Sequence, residues 1–402
     1  MTTERPALRV EPIACSTWGR AGIDDEAMQQ IENACRLPIT AAAALMPDAH
    51  VGYGVPIGGV VATRGAVIPY AVGVDIACRM RLSVMDERPS MIDTRREVLR
   101  RALLQETAFG IGASFSKRRR RDHSVMEDSA WKSIEMPNRE KLRDRAWEQL
   151  GTSGSGNHFV EFGEIELHEP HGGLDVGKHL ALLSHSGSRG FGAKVANTHT
   201  RIAMKRCALP QELRHLAWLM LDSAEGQAHW EAMSLAGRYA EANHACVHRH
   251  VLQMAGLAPA FAVENHHNFA WIEEHRGERL VVHRKGATPA GAGVLGIIPG
   301  SMGTPGFLVR GRGNSESLQS AAHGAGRAMS RKAAMKSIST EAWRDALVRA
   351  GVELLAGGLD EAPQAYKPIR EVMAAQRDLV DVIGTFQPRL VPMSSEKRKM
   401  DI

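Results

Sequence analysis

Two textures of apolar and polar positions alternate along the chain. Residues 24–37 read as a short helix opened by Asp24 and Asp25. Residues 45–85 differ: they are rich in Gly, Val and Ile, with runs such as Ile57-Gly-Gly-Val-Val-Ala and Arg79-Met-Arg-Leu-Ser-Val. Short apolar runs bounded by glycine mark buried strands joined by turns. Residues 91–107 read as helical, 116–138 as an exposed basic loop, and 139–149 as a polar helix. Strand texture resumes over 151–165 and 180–185. Leu213, Leu216 and Met220 fall at i, i+3 and i+7, the spacing of one helix face, and helical texture runs on to about Met254. Residues 259–310 return to strands, clearest over 279–283, and helices are expected to dominate 319–383. An apolar strand-like end over 389–393 precedes a polar tail at 394–402. These blocks lack the regular βαβ alternation of a doubly wound sheet. They predict an α+β fold: one large mixed unit over 1–402, strand-rich at its centre and flanked by helices.

Composition narrows the class. With 402 residues, 44% apolar and 24% charged, the chain can bury a sizeable core without cross-links. No stretch approaches 18 apolar residues and the N-terminus has no apolar run, so neither a membrane span nor a signal peptide is expected. Cys15, Cys35, Cys78, Cys207 and Cys246 are unevenly spaced and form no CxxC pair. That spacing argues against a disulfide framework or a zinc ribbon, and for a reducing compartment, the cytoplasm. The net charge is +5, and the run Lys117 to Arg121 alone supplies that excess. A uniformly basic coat is therefore excluded, whereas local cationic pockets are not. Aromatics make up 5%, too few for a row of stacked bases to be the main binding mode.

Candidate chemistry sits in glycine-rich segments. These are Met46-Pro-Asp-Ala-His, Gly73-Val-Asp-Ile-Ala-Cys-Arg, Gly154-Ser-Gly-Asn-His-Phe-Val-Glu, Ser184-His-Ser-Gly-Ser-Arg-Gly, Glu264-Asn-His-His-Asn, Ile297-Ile-Pro-Gly-Ser-Met-Gly-Thr and Ala322-His-Gly-Ala-Gly-Arg. Taken singly, each is an ordinary turn; their repetition, with His or Cys in nearly all, is what points to a site. Asp75 and Cys78 are three residues apart, and a carboxylate with a thiolate suits a transition metal whose shell imidazoles complete. His158, His185 and His267 are the best-placed imidazoles, each at an apparent strand end. His323 precedes an expected helix over 324–335, where Arg327 and Arg331 at steps of four would share its face, a phosphate-binding arrangement. His244, Cys246, His248 and His250 also cluster, but on a long amphipathic helix without a glycine-built cleft, and are read as packing residues. No GxxxxGK[ST] loop occurs.

Together these segments resemble the RtcB family of RNA-splicing ligases. Met46-Pro-Asp-Ala-His, Pro56-Ile-Gly-Gly, Gly73-Val-Asp-Ile-Ala-Cys, Gly154-Ser-Gly-Asn-His-Phe, His185-Ser-Gly-Ser-Arg-Gly, His283-Arg-Lys-Gly-Ala, Pro299-Gly-Ser-Met-Gly-Thr and His323-Gly-Ala-Gly-Arg-Ala-Met-Ser-Arg follow the family's order from residue 46 to 331. The resemblance implies joining of RNA 2′,3′-cyclic phosphate or 3′-phosphate ends to 5′-hydroxyl ends, with GTP and Mn²⁺. It implies one metal held by Asp75, Cys78 and His158, and a second by Cys78, His185 and His267. His323 would be the nucleophile that carries GMP. The GMP pocket would comprise Asn157, His158, Phe159, Val160, Glu161, His267, Asn268, Pro299, Gly300, Ser301, Met302, Gly306, His323, Gly324, Ala325 and Gly326. RNA phosphates would meet Arg189, Lys285, Arg327 and Arg331. No accessory activator is specified.

Two positions depart from the family pattern. A C-terminal lysine that contacts the guanine nucleotide is expected near Met393, with Lys397 and Lys399 the next lysines along. Many members carry serine where Gly306 stands. Two other readings remain at this stage: a 3′-phosphate guanylyltransferase that seals weakly, and a metal-stabilised RNA-binding protein without turnover.

Overall fold

A computed structural model describes residues 6–394. The strands that matter are β1 (Thr40–His50), β2 (Ile57–Thr63), β3 (Arg79–Met85), β4 (Phe159–Leu167), β5 (Gly177–Ser186) and β6 (Pro259–His266). After them come β7 (Asn268–His275), β8 (Glu278–Lys285), β9 (Leu295–Ile298), β10 (Gly306–Gly311), β11 (Ser320–Ala322) and β12 (Val380–Pro392). The main helices are α1 (Asp25–Cys35), α2 (Arg96–Glu106), α3 (Arg189–Arg206) and α4 (Ala224–Ala255). No described helix is long and apolar enough to cross a membrane.

The fold is mixed α+β. One sheet runs Cys15–Thr17, β1, β2, β8, β7; a larger one runs β9, β10, β12, β4, β5, β3, β6, with Glu353–Ala356 beside β12. The chain passes from one sheet to the other between β6 and β7, through the single residue His267. Strands β4, β5, β3 and β6 are antiparallel neighbours. The starts of β3 and β4 therefore lie at the same end of the sheet as the ends of β5 and β6. That geometry turns sequence positions 78, 158, 185 and 267 into neighbours.

The long helix α4 backs this sheet. Ser223 caps its N-terminus by accepting from the Gly226 N–H, and Gly256 closes it at a left-handed φ of 66°. His244 and His248 face the sheet: Ser184 on β5 bonds both at 2.8 Å, and Ser83 on β3 bonds His248 at 2.8 Å. Cys246 faces the other way, near the Asp122 carbonyl, and His250 meets Arg121. His244 and His248 thus brace two strands of the sheet, while Cys246 and His250 pack against Asp122 and Arg121.

Several sequence expectations need correction. Residues 323–330 are not helical; the helix there is Arg331–Ser337, so His323, Arg327 and Arg331 share no helix face. Leu213, Leu216 and Met220 do not form one helix: a 3-10 turn covers Gln211–Leu216, and Met220 ends the short strand Leu219–Met220. The region 319–383 holds short helices, β11 and Glu353–Ala356, because its apolar positions pack against strands rather than along one helix stripe. The C-terminal strand is far longer than 389–393; β12 spans thirteen residues and lies inside the large sheet, between β10 and β4. Segment 116–138 is only partly exposed. Val125, Met126, Trp131 and Ile134 join the core. Arg121 is buried against Glu106, with its guanidinium 4.2 Å from the Phe115 ring centre. The basic run is therefore partly folded down rather than free. Of the polar tail, only Ser394 is described; Lys397 and Lys399 lie outside the described residues.

Buried neutral histidine has a measurable consequence. On β8, the His283 Nδ1–H donates to the Val61 carbonyl (3.0 Å) and Nε2 accepts from the Ile68 N–H (2.9 Å). Burial lowers its pKa to about 4. A folded pKa below the unfolded value of about 6.5 means the unfolded chain binds the extra proton, so stability falls as pH drops from about 6.5 toward 4. Replacing His283 with Leu is expected to reduce the pH dependence of unfolding by about one proton, about 2 kcal/mol between pH 6.5 and 5. Urea denaturation at a series of pH values measures this; an unchanged slope would refute it.

Candidate active site

The Asp75–Cys78 segment is a tight turn that leads into β3. The Cys78 N–H donates to the Asp75 carbonyl at 3.1 Å, and the Ala77 N–H to the Asn268 carbonyl at 2.6 Å. Ala77 and Arg189, on either side of Asp75, both adopt left-handed φ, 56° and 55°. For residues with a β-carbon this costs on the order of 1–2 kcal/mol each. The strain aims Asp75 and Arg189 at one point. Asp75 Oδ1 accepts the Ser188 N–H (3.1 Å), and Oδ2 lies 3.2 Å from His158 Nε2.

Five donor side chains converge there. Cys78 Sγ is 3.3 Å from His158 Nε2 and 3.1 Å from His185 Nε2, and His185 Nε2 is 3.2 Å from His267 Nε2. The donors form two metal-capable triads, Asp75–Cys78–His158 and Cys78–His185–His267, that share the sulfur. No other such group occurs among the described residues.

The donor set fits a pair of transition-metal cations. His185 Nδ1 lies 3.1 Å from the Asn157 carbonyl, which fixes its proton on Nδ1 and leaves the Nε2 lone pair facing the cluster. Burial depresses the pKa values of His158, His185 and His267, so all three stay neutral and able to ligate. Burial would raise Asp75, but His158 and Arg189 outweigh it and hold the carboxyl at about 2. Burial and the Asp75 charge push the Cys78 thiol well up. A thiolate there needs positive charge to offset it, and a metal-capable triad on each side of the shared sulfur is what the arrangement offers.

His323 stands beside this cluster, its ring centre 4.9 Å from that of His267. It follows β11 and is fixed by Asp48 near the end of β1. One oxygen, Asp48 Oδ2, lies 2.6 Å from His323 Nδ1 and accepts the backbone N–H groups of His323 (3.1 Å) and Gly324 (3.3 Å). Asp48 is fully buried. This places a proton on Nδ1 and leaves the ring's lone pair on Nε2. Gly326, at φ 71°, is demanded by the same approach: a Cβ there would overlap the Asp48 carbonyl.

Two cavities meet at His323. The larger, about 740 Å³, exposes Asp75, Cys78, His158, His185, His267, Asn268, Lys285 and Arg331. The smaller, about 270 Å³, is walled by Asn157, Phe159, Pro299 to Met302 and His323 to Arg327. The residues expected for nucleotide thus divide between the two. Val160, Glu161 and Gly306 line neither. Val160 points into the apolar core with Phe162, because alternate residues of β4 face opposite sides. Gly306 lies behind Pro299.

The cations are held in distinct ways. Arg189 lies 3.1 Å from His158 Nδ1 and 3.4 Å from Asp75, and a side chain at Gly154 would collide with its guanidinium. Lys285 donates to the carbonyls of Tyr53 (2.6 Å) and Val55 (2.9 Å), and burial lowers its pKa to about 7. Arg327 and Arg331 both pair with buried Glu361, at 3.0 and 2.8 Å.

The sequence from 30 to 393 matches the family model described as tRNA-splicing ligase RtcB. The chain belongs to the RtcB family. It is 36% identical to the RNA-splicing ligase RtcB of Escherichia coli K12, over 94% of this chain and 97% of that protein. It is 32% identical to the RNA-splicing ligase RtcB of Mycobacterium bovis, over 92% and 100%, and 31% identical to the tRNA-splicing ligase RtcB of Thermococcus kodakarensis, over 93% and 91%. It is an RNA ligase by membership. Several residues of this RtcB site escaped the sequence reading. Asp48 lies within a quoted motif, but its partner is 275 positions away. Glu361, in the turn that follows Gly357-Gly358, and Tyr366, in a turn without glycine, were not singled out, yet both line the smaller cavity. Met393, the residue nearest the expected lysine, lies in that cavity's wall and packs on Met302 and Val391.

Proposed function

We propose that this RtcB-family ligase joins RNA 3′-phosphate or 2′,3′-cyclic phosphate ends to 5′-hydroxyl ends, using GTP and two Mn²⁺ ions, with 1–402 acting as one ligase unit. The observation that carries this reading is His323: Asp48 locks its tautomer, and it stands between the donor cluster and the cavity walled by Pro299 to Met302. Mn²⁺ bound at the two triads would supply positive charge to the phosphate oxygens as they react.

In this scheme His323 Nε2 attacks the α-phosphorus of GTP, forming an N–P bond as pyrophosphate leaves. Asp48 balances the charge that develops on the imidazole. An oxygen of the RNA 3′-phosphate then attacks the same phosphorus; the N–P bond breaks and GMP passes to the RNA. Last, the 5′-hydroxyl attacks the RNA phosphorus, its proton is lost, and GMP departs. A cyclic phosphate is opened by water beforehand. Asn157, Phe159, Pro299 to Met302 and Gly324 to Gly326 would seat the nucleotide. Arg189, Lys285, Arg327 and Arg331 would position RNA phosphates, and Glu361 would keep the last two splayed for that task.

The test is direct. Incubated with GTP, Mn²⁺ and RNA halves bearing the two end types, the protein is expected to give joined RNA and free GMP. Capped but unjoined RNA would move the reading to a 3′-phosphate guanylyltransferase, which Met393 in the nucleotide cavity would favour. RNA binding with no product of either kind would overturn both.

A further inference from the structure

The rim of the larger cavity carries an aromatic cluster that neither the metal nor the phosphate chemistry uses. Tyr53, in the turn after β1, is 67% exposed and lines the cavity. It is held upright by its edges. Its ring meets Tyr70 at 6.3 Å and 88°, and His215 at 5.7 Å and 67°. Tyr70 and His215 themselves stack at 4.8 Å and 25°. A large, flat, apolar ring fixed by its neighbours and open to solvent loses little entropy when a second flat ring covers it.

Its position decides what that ring is. The Tyr53 carbonyl accepts from Lys285 Nζ at 2.6 Å, and Lys285 Nζ sits 5.3 Å from the centre of the Tyr70 ring. The cation expected to hold an RNA phosphate is therefore bonded to the backbone of the residue that carries the exposed ring. A phosphate that reaches Lys285 brings its own nucleoside within reach of Tyr53.

We propose that Tyr53 is the stacking platform for the base of the 3′-terminal nucleotide, the one that carries the reacting phosphate. This deepens the ligase reading and rests on it. Stacking tolerates any base, because every base offers a π-face. The platform therefore selects a nucleotide over a bare phosphate without selecting a sequence, and it orients the phosphate through the nucleoside attached to it.

The test uses the Mn²⁺-loaded full-length protein and a short RNA 3′-phosphate, intact or abasic at its last nucleotide. For Tyr53→Ala, KM for the intact RNA is expected to rise roughly tenfold, with a much smaller change in kcat. Tyr53→Phe should stay within about twofold of wild type, since the ring does the stacking. With the abasic RNA the difference between wild type and Tyr53→Ala should vanish. A difference that persists with the abasic RNA overturns the proposal, as does an unchanged KM, or an effect that follows a lesion on the 5′-hydroxyl strand instead. A second readout needs no chemistry: 2-aminopurine at the 3′-terminal position should be quenched by wild type without GTP, and not by Tyr53→Ala. Ligation with quenching that ignores Tyr53 sinks the platform alone. Quenching that depends on Tyr53, with no ligation or capping, sinks the ligase reading alone.

Discussion

His323→Ala protein is expected to take up no label from α-labelled GTP in the presence of Mn²⁺, where wild type takes up acid-labile label. Ligation should fall to background. No other described imidazole combines a carboxylate-locked tautomer with a place between the two cavities. Retained label in this variant would remove the covalent step from the mechanism. Asp48→Asn separates positioning from chemistry. The amide keeps the shape but cannot balance a charged imidazole, and its NH₂ competes for the contact with Nδ1. Loss of a carboxylate in this role costs roughly 10²–10⁴-fold in rate. The nucleophile remains, so labelling should slow rather than vanish.

Cys78→Ala is expected to strip both metals at once. The sulfur belongs to both triads, within 3.3 Å of His158 and 3.1 Å of His185. His267→Ala, by contrast, removes a donor from one triad only. Elemental analysis after exhaustive dialysis should therefore read about two metals per chain for wild type, near one for His267→Ala, and near none for Cys78→Ala. Two metals retained without the thiol would end the bridging assignment. The folded state should survive the change, because the surrounding strands are braced from behind by α4 rather than by the cluster. Circular dichroism distinguishes lost metal from lost fold.

What the sequence disclosed was local. Cys78, His158 and His185 could be picked out because each lies at a glycine-bounded strand end, and His267 because it sits in the polar run Glu264-Asn-His-His-Asn, signals written in a few consecutive residues. Their meeting at one end of a sheet depends on antiparallel pairing across long separations, and no periodicity reports that. The same limit hid the partnership of Asp48 with His323. The helix expected over 324–335 begins only at Arg331, for a physical reason. The four-residue steps from His323 to Arg327 and Arg331 mimic a helix face, whereas over 323–330 the chain runs in bends, held by the pairing of Arg327 with Glu361 and with Tyr366. Short helices and 3-10 turns between 319 and 383 are set by what they pack on, which is why their texture misled.

The placement of β12 has a bearing on how the protein is made. It is the last of the described strands in chain order, yet it separates β10 from β4 in the large sheet. A chain that stops before residue 380 carries all five candidate metal donors and His323, but its sheet is interrupted, with one edge of β4 bare and the β9–β10 hairpin held to β6 through Asn265. A chain truncated there is therefore expected to expose bare strand edges and aggregate rather than persist as a half-active ligase.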